Sequence, residues 1–184
     1  MNGLEIGTAR LRLRPVTGED IDVLHRLWTE PGVRKHLFDD ETIARERAAG
    51  EVERSQEAFR SSCGGLWTVG LHGDSSLAGF CGYRFFHDPP ELQLLYGLTT
   101  SLWGRGLATE AARAMIRYGF ETCGLPRVVA SADAPNIASL RVMEKAGLAF
   151  EKRVMIGALD AIYYALAREA YVAGAAPYAL RAGP

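Results

Sequence analysis

The sequence has 184 residues, of which 48% are hydrophobic and 23% charged, and its formal net charge is -1. These values are typical of one compact globular domain, and the near-neutral charge gives no sign of a nucleic-acid partner. No apolar run approaches the roughly 18 residues of a membrane span, and the N-terminus lacks a signal-peptide pattern. We therefore expect a cytoplasmic protein with no membrane contact.

The cysteines and histidines are scattered along the chain. Cys63, Cys81 and Cys123 are odd in number, widely spaced and without a Cys-x-x-Cys pair, and the four histidines follow no ligand spacing. Such a pattern favours three free, reduced thiols, and it lacks the residue spacing that is typical of a metal site. The sequence therefore predicts neither a disulfide nor a bound metal.

The N-terminal third alternates between strand and helix patterns. Apolar and basic residues alternate over Ala9–Arg14, which predicts a half-buried strand. Apolar residues at helical spacing run from Ile21 to Trp28, and Pro31-Gly32 ends that helix. The charge-rich segment Asp39–Arg60 predicts one or two further helices. The strand and these helices should form the first part of a mixed α/β domain.

The rest of the chain repeats strand and helix patterns without a linker. Two long helices are predicted, Leu107–Cys123 and Asn136–Ala146. The predicted strands are Leu66–His72, Leu77–Phe86, Leu92–Thr99, Arg127–Ala132, Leu148–Ile156 and Ala161–Ala167. We expect a single domain over residues 1–184, with an ordered core at about 8–169. Residues 173–184 are rich in Ala, Gly and Pro and are predicted to form a loose tail.

A glycine-rich segment joins a predicted strand to a predicted helix. This glycine loop consists of Trp103, Gly104, Arg105, Gly106, Leu107, Ala108 and Thr109. Glycines at positions 104 and 106 let the backbone approach a ligand, and free N–H groups of the first helical turn attract an anion. The loop lacks the Gly-Lys-Ser/Thr of an ATP-binding loop and the third glycine of the dinucleotide motif. A tight turn without a ligand is the alternative reading of the loop alone.

The segment Trp103–Ala111 closely resembles motif A of the GNAT superfamily of N-acetyltransferases. It is most similar to the branch that contains the ribosomal-protein-alanine acetyltransferases. Thr8–Pro15 and Glu19–Ile21 resemble the first strand and helix of that branch, and Asn136–Leu148 resembles motif B. The resemblance spans about residues 8–169. It implies an α/β (α+β) GNAT-like fold, with a mostly antiparallel sheet splayed between the fourth and fifth predicted strands and helices on both faces.

The resemblance implies that acetyl-CoA is the co-substrate. Its pyrophosphate would lie on the backbone amides of the glycine loop, and its pantetheine arm would run between Leu92–Thr99 and Arg127–Ala132. A bulge just past Gly97 would let the backbone of Leu98 bind the arm and polarise the thioester carbonyl. Asn136 and Ser139 would contact the arm, although Asn136 is equally well explained as a helix cap.

Two positions depart from the family pattern, and both concern proton transfer. Gln93 occupies a position where the family often has a glutamate base, so we expect Glu91, two residues upstream on the same strand face, to act through water. His87 and Asp88 are weaker candidates. Met143 stands where many members carry a tyrosine acid, and Ser139 is a possible substitute.

The acceptor is expected to be a primary amine, either a protein N-terminus or a small molecule, that attacks the thioester in a ternary complex. The resemblance implies an acceptor groove between the first helices and the last two strands. Its candidate lining residues are Trp28, His36, Phe38, Gln93, Tyr163 and Tyr164. Because of Gln93 and Met143, a non-catalytic acetyl-CoA-binding or sensing module is the alternative. A homodimer is left open.

Overall fold

The computed structural model describes residues 4–74, 76–86 and 90–182. Its α-helices are α1 (Ile21–Thr29), α2 (Pro31–Arg34), α3 (Arg45–Ser61), α4 (Leu107–Arg117) and α5 (Ile137–Ala146). Its strands are β1 (Leu4–Thr8), β2 (Leu11–Pro15), β3 (Gly65–Leu71), β4 (Leu77–Phe86), β5 (Glu91–Leu98), β6 (Arg127–Asp133), β7 (Ala149–Ile156), β8 (Leu159–Ala167) and β9 (Tyr178–Ala182).

One sheet contains all the described strands, in the order β7-β8-β6-β5-β4-β3-β2-β1-β9. Neighbouring strands are antiparallel except β5 and β6, which are parallel and are paired at Gln93 and Val129. Beyond that pair β6 stays with β8 along its full length while β5 stays with β4. The predicted splay is therefore confirmed, because the fourth and fifth predicted strands are β5 and β6.

Helices cover both faces of the sheet, as predicted. The α4 face is covered by α4 and α5, whose buried residues pack with Trp67, Leu94 and Leu98 of the sheet in the larger hydrophobic cluster. The α1 face is covered by α1, α2 and α3, and its cluster joins Trp28 of α1 to Phe80 of β4. At the splay β5 and β6 separate, so the sheet has an opening between its two faces.

The helix predicted over Leu107–Cys123 changes geometry near its end. Regular α-helix ends at Arg117, and a wider π-turn continues over Tyr118–Thr122. The hydroxyl of Tyr83 donates to the carbonyl of Met115 at 2.9 Å, and a Cβ on Gly119 would lie 2.4 Å from that hydroxyl. The buried tyrosine therefore inserts where the helix widens, as side chains commonly do at such turns.

The predicted loose tail is wrong for residues 178–182. These residues form β9, which pairs with β1 from Leu4 opposite Ala182 to Thr8 opposite Tyr178. The Ala, Gly and Pro content of the tail obscured the alternation of the apolar residues Tyr178 and Leu180 with Ala179 and Arg181. The five-residue strand β1 (Leu4–Thr8) was also missed, so the predicted core of about 8–169 is too short at both ends.

The prediction of three free thiols is also wrong. Cys63 and Cys123 form a disulfide, with their Cα atoms 5.7 Å apart, while Cys81 is free and buried. Burial raises the pKa of the Cys81 thiol well above its usual value. A separation of 60 residues gave no spacing signal, because the fold alone brings the end of α3 to the end of the π-turn.

Within residues 4–74, 76–86 and 90–182, no helix is long and apolar enough to cross a membrane. The same described ranges contain no group of three or more His, Cys, Asp and Glu side chains arranged to hold a metal ion.

Candidate functional site

The glycine loop has the backbone conformation that its glycines suggest. Gly104 and Gly106 both have φ of +74°, in the left-handed region that favours glycine. Gly106 is the N-cap of α4, and the first helical hydrogen bond runs from Glu110 N–H to the Gly106 carbonyl. The N–H groups of residues 107–109 precede that bond, so they have no partner within the helix and favour a bound anion.

Glu110 fixes the glycine loop to the turn between β1 and β2. Its carboxylate accepts from Thr8 Oγ1 at 2.7 Å, from Arg10 N at 2.8 Å and from Arg10 Nε at 2.6 Å. Burial raises the pKa of Glu110, but these hydrogen bonds outweigh it and bring the pKa below its usual value. Arg10 also donates to the Arg105 carbonyl at 2.9 Å, so its positive charge lies beside the loop.

Glu30 fixes the other side of the loop, at the junction of α1 and α2. It accepts from Thr99 Oγ1 and from Thr100 N, each at 3.0 Å, and from Thr100 Oγ1. Burial raises the pKa of Glu30, but these bonds outweigh it and leave the pKa below its usual value. Neither Glu30 nor Glu110 was predicted as a support, because their partners are 69 to 102 residues away in sequence.

Trp103 folds back over the end of β5. Its indole Nε1 donates to the Leu98 carbonyl at 2.8 Å, and a Cβ on Gly32 would lie 3.3 Å from its ring. About half of the residue is exposed, at 52%. The tryptophan that begins the resemblance therefore connects the glycine loop to the splayed edge of β5.

The splayed edge of β5 presents backbone groups toward the opening. Thr99 N–H donates to Ala78 of β4, so by strand alternation the N–H groups of Leu98 and Tyr96 point the other way, toward β6. The bulge predicted near Leu98 is wrong, because β4 and β5 keep one register from Gly79–Leu98 to Phe86–Glu91. Gly97 is instead required by packing, since its Cβ would lie 2.5 Å from the Phe80 ring.

Across the splay, Tyr96 of β5 contacts the first turn of α5. Its hydroxyl lies 3.0 Å from both the carbonyl and the Oγ of Ser139. Asn136 caps this helix, because its side chain accepts from Ser139 N at 3.2 Å. Burial raises the pKa of Tyr96 well above its usual value. Tyr96 carries no sequence signal, because it lies within an apolar strand. Met143, at the position where many family members have a tyrosine, is buried in the core.

A polar chain lies where β5 and β6 last pair. Gln93, only 2% exposed, donates to Glu91 at 3.1 Å and accepts from Ser131 Oγ at 2.7 Å. The Tyr163 hydroxyl interacts with both Gln93 and Ser131. Arg127 Nη2 lies 4.0 Å from the Glu91 carboxylate. The structure therefore brings together Glu91, Gln93 and Tyr163, three of the residues predicted from the sequence.

The other predicted lining residues separate into two groups. Trp28 and Phe38 are in edge-to-face contact on the α1 face, and His36 Nδ1 lies 3.6 Å from Asp133 Oδ2 of β6. Tyr164 was predicted with them but bonds Glu144 of α5 at 2.8 Å on the α4 face. It faces away because successive strand residues point to opposite sides. The weaker base candidates His87 and Asp88 lie outside the described residues.

Trp28 and Phe38 also line a small cleft that sequence reasoning missed. Glu51 of α3 lies at this cleft, 5% exposed, and accepts from Arg84 at 3.1 Å and from Arg54 at 2.7 Å. No sequence signal marks it, because the carboxylate and Arg84 are 33 residues apart. The cleft is apolar on the Trp28 side and charged on the Glu51 side.

Comparisons with known proteins agree with this geometry. Residues 10–149 match the family model described as an acetyltransferase (GNAT) domain. The chain is 27% identical over 154 residues to "Uncharacterized N-acetyltransferase p20" of Bacillus licheniformis, covering 81% of this chain and 83% of that protein. It is 46% identical over 158 residues to "FsC-acetyl coenzyme A-N(2)-transacetylase" of Aspergillus fumigatus, covering 77% of this chain and 63% of that protein.

A solved structure of a GNAT-family acetyltransferase from Bacillus anthracis superposes with a TM-score of 0.76 at 26% identity. The match covers 90% of this chain and 99% of that one. The family model covers more than half of the sequence and includes the glycine loop, the splay and the first turn of α5. The chain therefore belongs to the GNAT family of acetyltransferases.

Proposed function

We propose that this protein transfers the acetyl group of acetyl-CoA directly to a primary amine. The observation that carries the proposal is the placement of the glycine loop at the open end of the splay. Free helical N–H groups for a pyrophosphate and unpaired strand N–H groups for an extended arm lie next to each other. The name of the Aspergillus relative, which specifies acetyl coenzyme A, supports the same co-substrate.

The cofactor contacts follow the path from loop to splay. The backbone amides of residues 103–109 receive the pyrophosphate, and the N–H groups of Leu98 and Tyr96 face the pantetheine arm. On the opposite side Asn136 and Ser139 contact the arm from α5. Fixed donors of this kind need no reorganisation when charge develops on the thioester oxygen, which is why they stabilise the transition state.

Proton transfer uses groups on both sides of the splay. The CoA thiolate that leaves is protonated by Ser139, whose hydroxyl is positioned by Tyr96 at 3.0 Å. Glu91 as a base acting through water stays a prediction, with its carboxylate held by Gln93. Ser139, in the first turn of α5, is thus the proposed acid. It takes the role of the tyrosine that many family members have at the position of Met143.

The acceptor approaches from the α1 face, between α1, α2 and strands β6 and β8. Trp28, His36, Phe38, Gln93 and Tyr163 are its proposed lining residues. The name of the Aspergillus relative contains "N(2)-transacetylase", which supports a nitrogen atom as the acceptor here. We propose a protein N-terminus or a small-molecule amine as the acceptor class.

Release of the CoA thiol over an amine panel tests the proposal. The panel contains spermidine, alanine amide and a tetrapeptide with a free N-terminus, each offered with acetyl-CoA. We expect release that depends on one amine, with acetylation of that amine by mass spectrometry. Tight binding of acetyl-CoA in a titration, with no release on any amine, would instead favour a binding or sensing module. Absence of binding would contradict both functions.

A further inference from the structure

His36 and Asp133 form a pair between two elements that are far apart in sequence. His36 follows α2, and Asp133 is the last residue of β6, yet Nδ1 lies 3.6 Å from Oδ2. Both side chains are partly buried, 23% and 31% exposed. Arg34 bonds Thr42 and lies 3.1 Å from Asp40, which fixes the segment that carries His36.

The register of the sheet places this pair at the open part of the splay. Gln93 is paired with Val129 in parallel, so Gly97 and Asp133 are each four residues further along. Both therefore lie roughly 13 Å beyond the last pair, at about 3.3 Å per residue. Gly97 precedes Leu98, whose N–H faces the splay, so Asp133 lies level with the proposed thioester position.

The pair also lies on the acceptor side. Ser131 and Asp133 share one face of β6, and Ser131 donates to Gln93. Gln93 is in register with Arg84, which bonds Glu51 of α3 on the α1 face. Asp133 therefore points to the face where the amine is proposed to enter.

We infer that His36, oriented by Asp133, is the base that deprotonates the acceptor amine, an inference that rests on the proposed function. With Nδ1 facing the carboxylate, Nε2 is the nitrogen that accepts a proton, as in other carboxylate-oriented histidines. Imidazole changes charge near neutral pH, so it suits this task better than the amide of Gln93. His36 is a catalytic residue in this account, and Asp133 is a positioning residue.

The protons of the transfer balance with the acceptor amine, His36, Ser139 and the CoA thiolate. The ammonium of the acceptor gives one proton to His36 Nε2, and the freed lone pair forms the C–N bond at the thioester carbonyl. The C–S bond then breaks, and the second proton of the nitrogen passes to the CoA thiolate with Ser139 as donor and acceptor in turn. His36 returns its proton to solvent, so the products are an amide, CoA thiol and one proton.

Other titratable groups surround the pair and enter any pH profile. Arg34 and Lys35 lie on the same segment as His36, and the Arg153–Asp160 ion pair lies at the β7–β8 turn, where the Asp160 carbonyl accepts from Ala134. The remaining groups, on β5, β6, β7 and β8, are Glu91, Arg127, Lys152 and Tyr163.

The test compares H36Q with K35Q, a charge change on the neighbouring exposed residue, in the full-length protein. With the best amine of the panel, H36Q should lower kcat/KM about 100-fold or more at pH 7, the usual size of general-base catalysis. The wild-type protein should show a decrease of kcat/KM at acidic pH, called here the acidic limb, and H36Q should lack it. Acetyl-CoA affinity should be the same in both proteins. K35Q should keep both the rate and the limb. Added imidazole should restore activity to H36A.

D133N tests the positioning role. It should lower kcat less than H36Q does and should leave KM for the amine unchanged, because the imidazole is still present but lacks the carboxylate that orients it. Full activity and an intact limb in H36Q would overturn the inference, and so would loss of the limb in E91Q alone. If the wild-type protein releases no CoA with any amine, the proposed function fails instead.

Discussion

The two regions that flank the splay are built in different ways. The glycine loop is a short continuous segment whose function depends on backbone conformation, and Glu30 and Glu110 fix it from both sides. The proposed acceptor side is assembled from side chains on separate elements, such as His36 after α2 and Asp133 on β6. A shared co-substrate can be bound by backbone groups alone, whereas an acceptor is distinguished by side chains. Variants that change one region and leave the other intact test this contrast.

The largest expected effect concerns the disulfide, which joins the end of α3 to the end of the π-turn. Closing a loop of 60 residues lowers the entropy of the unfolded chain, so C63S should reduce the free energy of unfolding by about 4 kcal/mol. Denaturant unfolding of C63S, C123S and the double variant measures this. All three should lose the same amount while acetyl-CoA affinity is kept. Additive losses would contradict a role as a cross-link.

The next effect concerns the backbone of the glycine loop. G106V should weaken acetyl-CoA binding about 100-fold, or about 3 kcal/mol, because a branched residue at positive φ is strained and occupies the anion site. The matched control is G73V, in the β3–β4 turn. Gly73 also has a positive φ, of +78°, and a Cβ added there would have no atom within 4 Å. Titration calorimetry should show weakened binding in G106V only. Equal affinities in the two variants would show that the loop does not bind the pyrophosphate.

A smaller effect concerns the carboxylate that holds the loop to the β1–β2 turn. E110Q should weaken acetyl-CoA binding about tenfold, since the loss of charge-assisted hydrogen bonds costs about 1.5 kcal/mol. The exposed carboxylate Glu53 on α3 provides the control, E53Q. If E110Q binds as tightly as the wild-type protein, the support from Thr8 and Arg10 is unimportant for the loop.

The lowered pKa of Glu110 also makes the free energy of unfolding depend on pH in the acidic range. Its pKa is lowered in the folded state, so its contribution is complete above the unfolded value and is lost as pH falls through the folded value. The difference in unfolding free energy between the wild-type protein and E110Q should therefore be constant near neutral pH and shrink below about pH 4.5. A difference that grows on acidification would contradict the assignment.

What the sequence predicts depends on whether a feature is local. The glycine loop and the Asn136 cap follow from residues that are neighbours in the chain, whereas the splay was implied by the family resemblance; the structure has all three at the expected positions. The disulfide and the contact of Tyr96 with Ser139 join distant segments and left no spacing signal. The β9 strand was missed because its composition resembles a loose tail. The bulge predicted at Gly97 is absent, because the glycine is required by close packing on Phe80 of the neighbouring strand, a contact that the sequence does not show.

The decisive measurement is the amine-dependent release of CoA by the wild-type protein, G106V and G73V at one fixed, subsaturating acetyl-CoA concentration. We expect release by the wild-type protein and by G73V, with acetylated amine as the second product, and a nearly complete loss of release in G106V. Release that is independent of amine, or that survives unchanged in G106V, would contradict an acetyl-CoA site in the glycine loop that serves transfer to an amine.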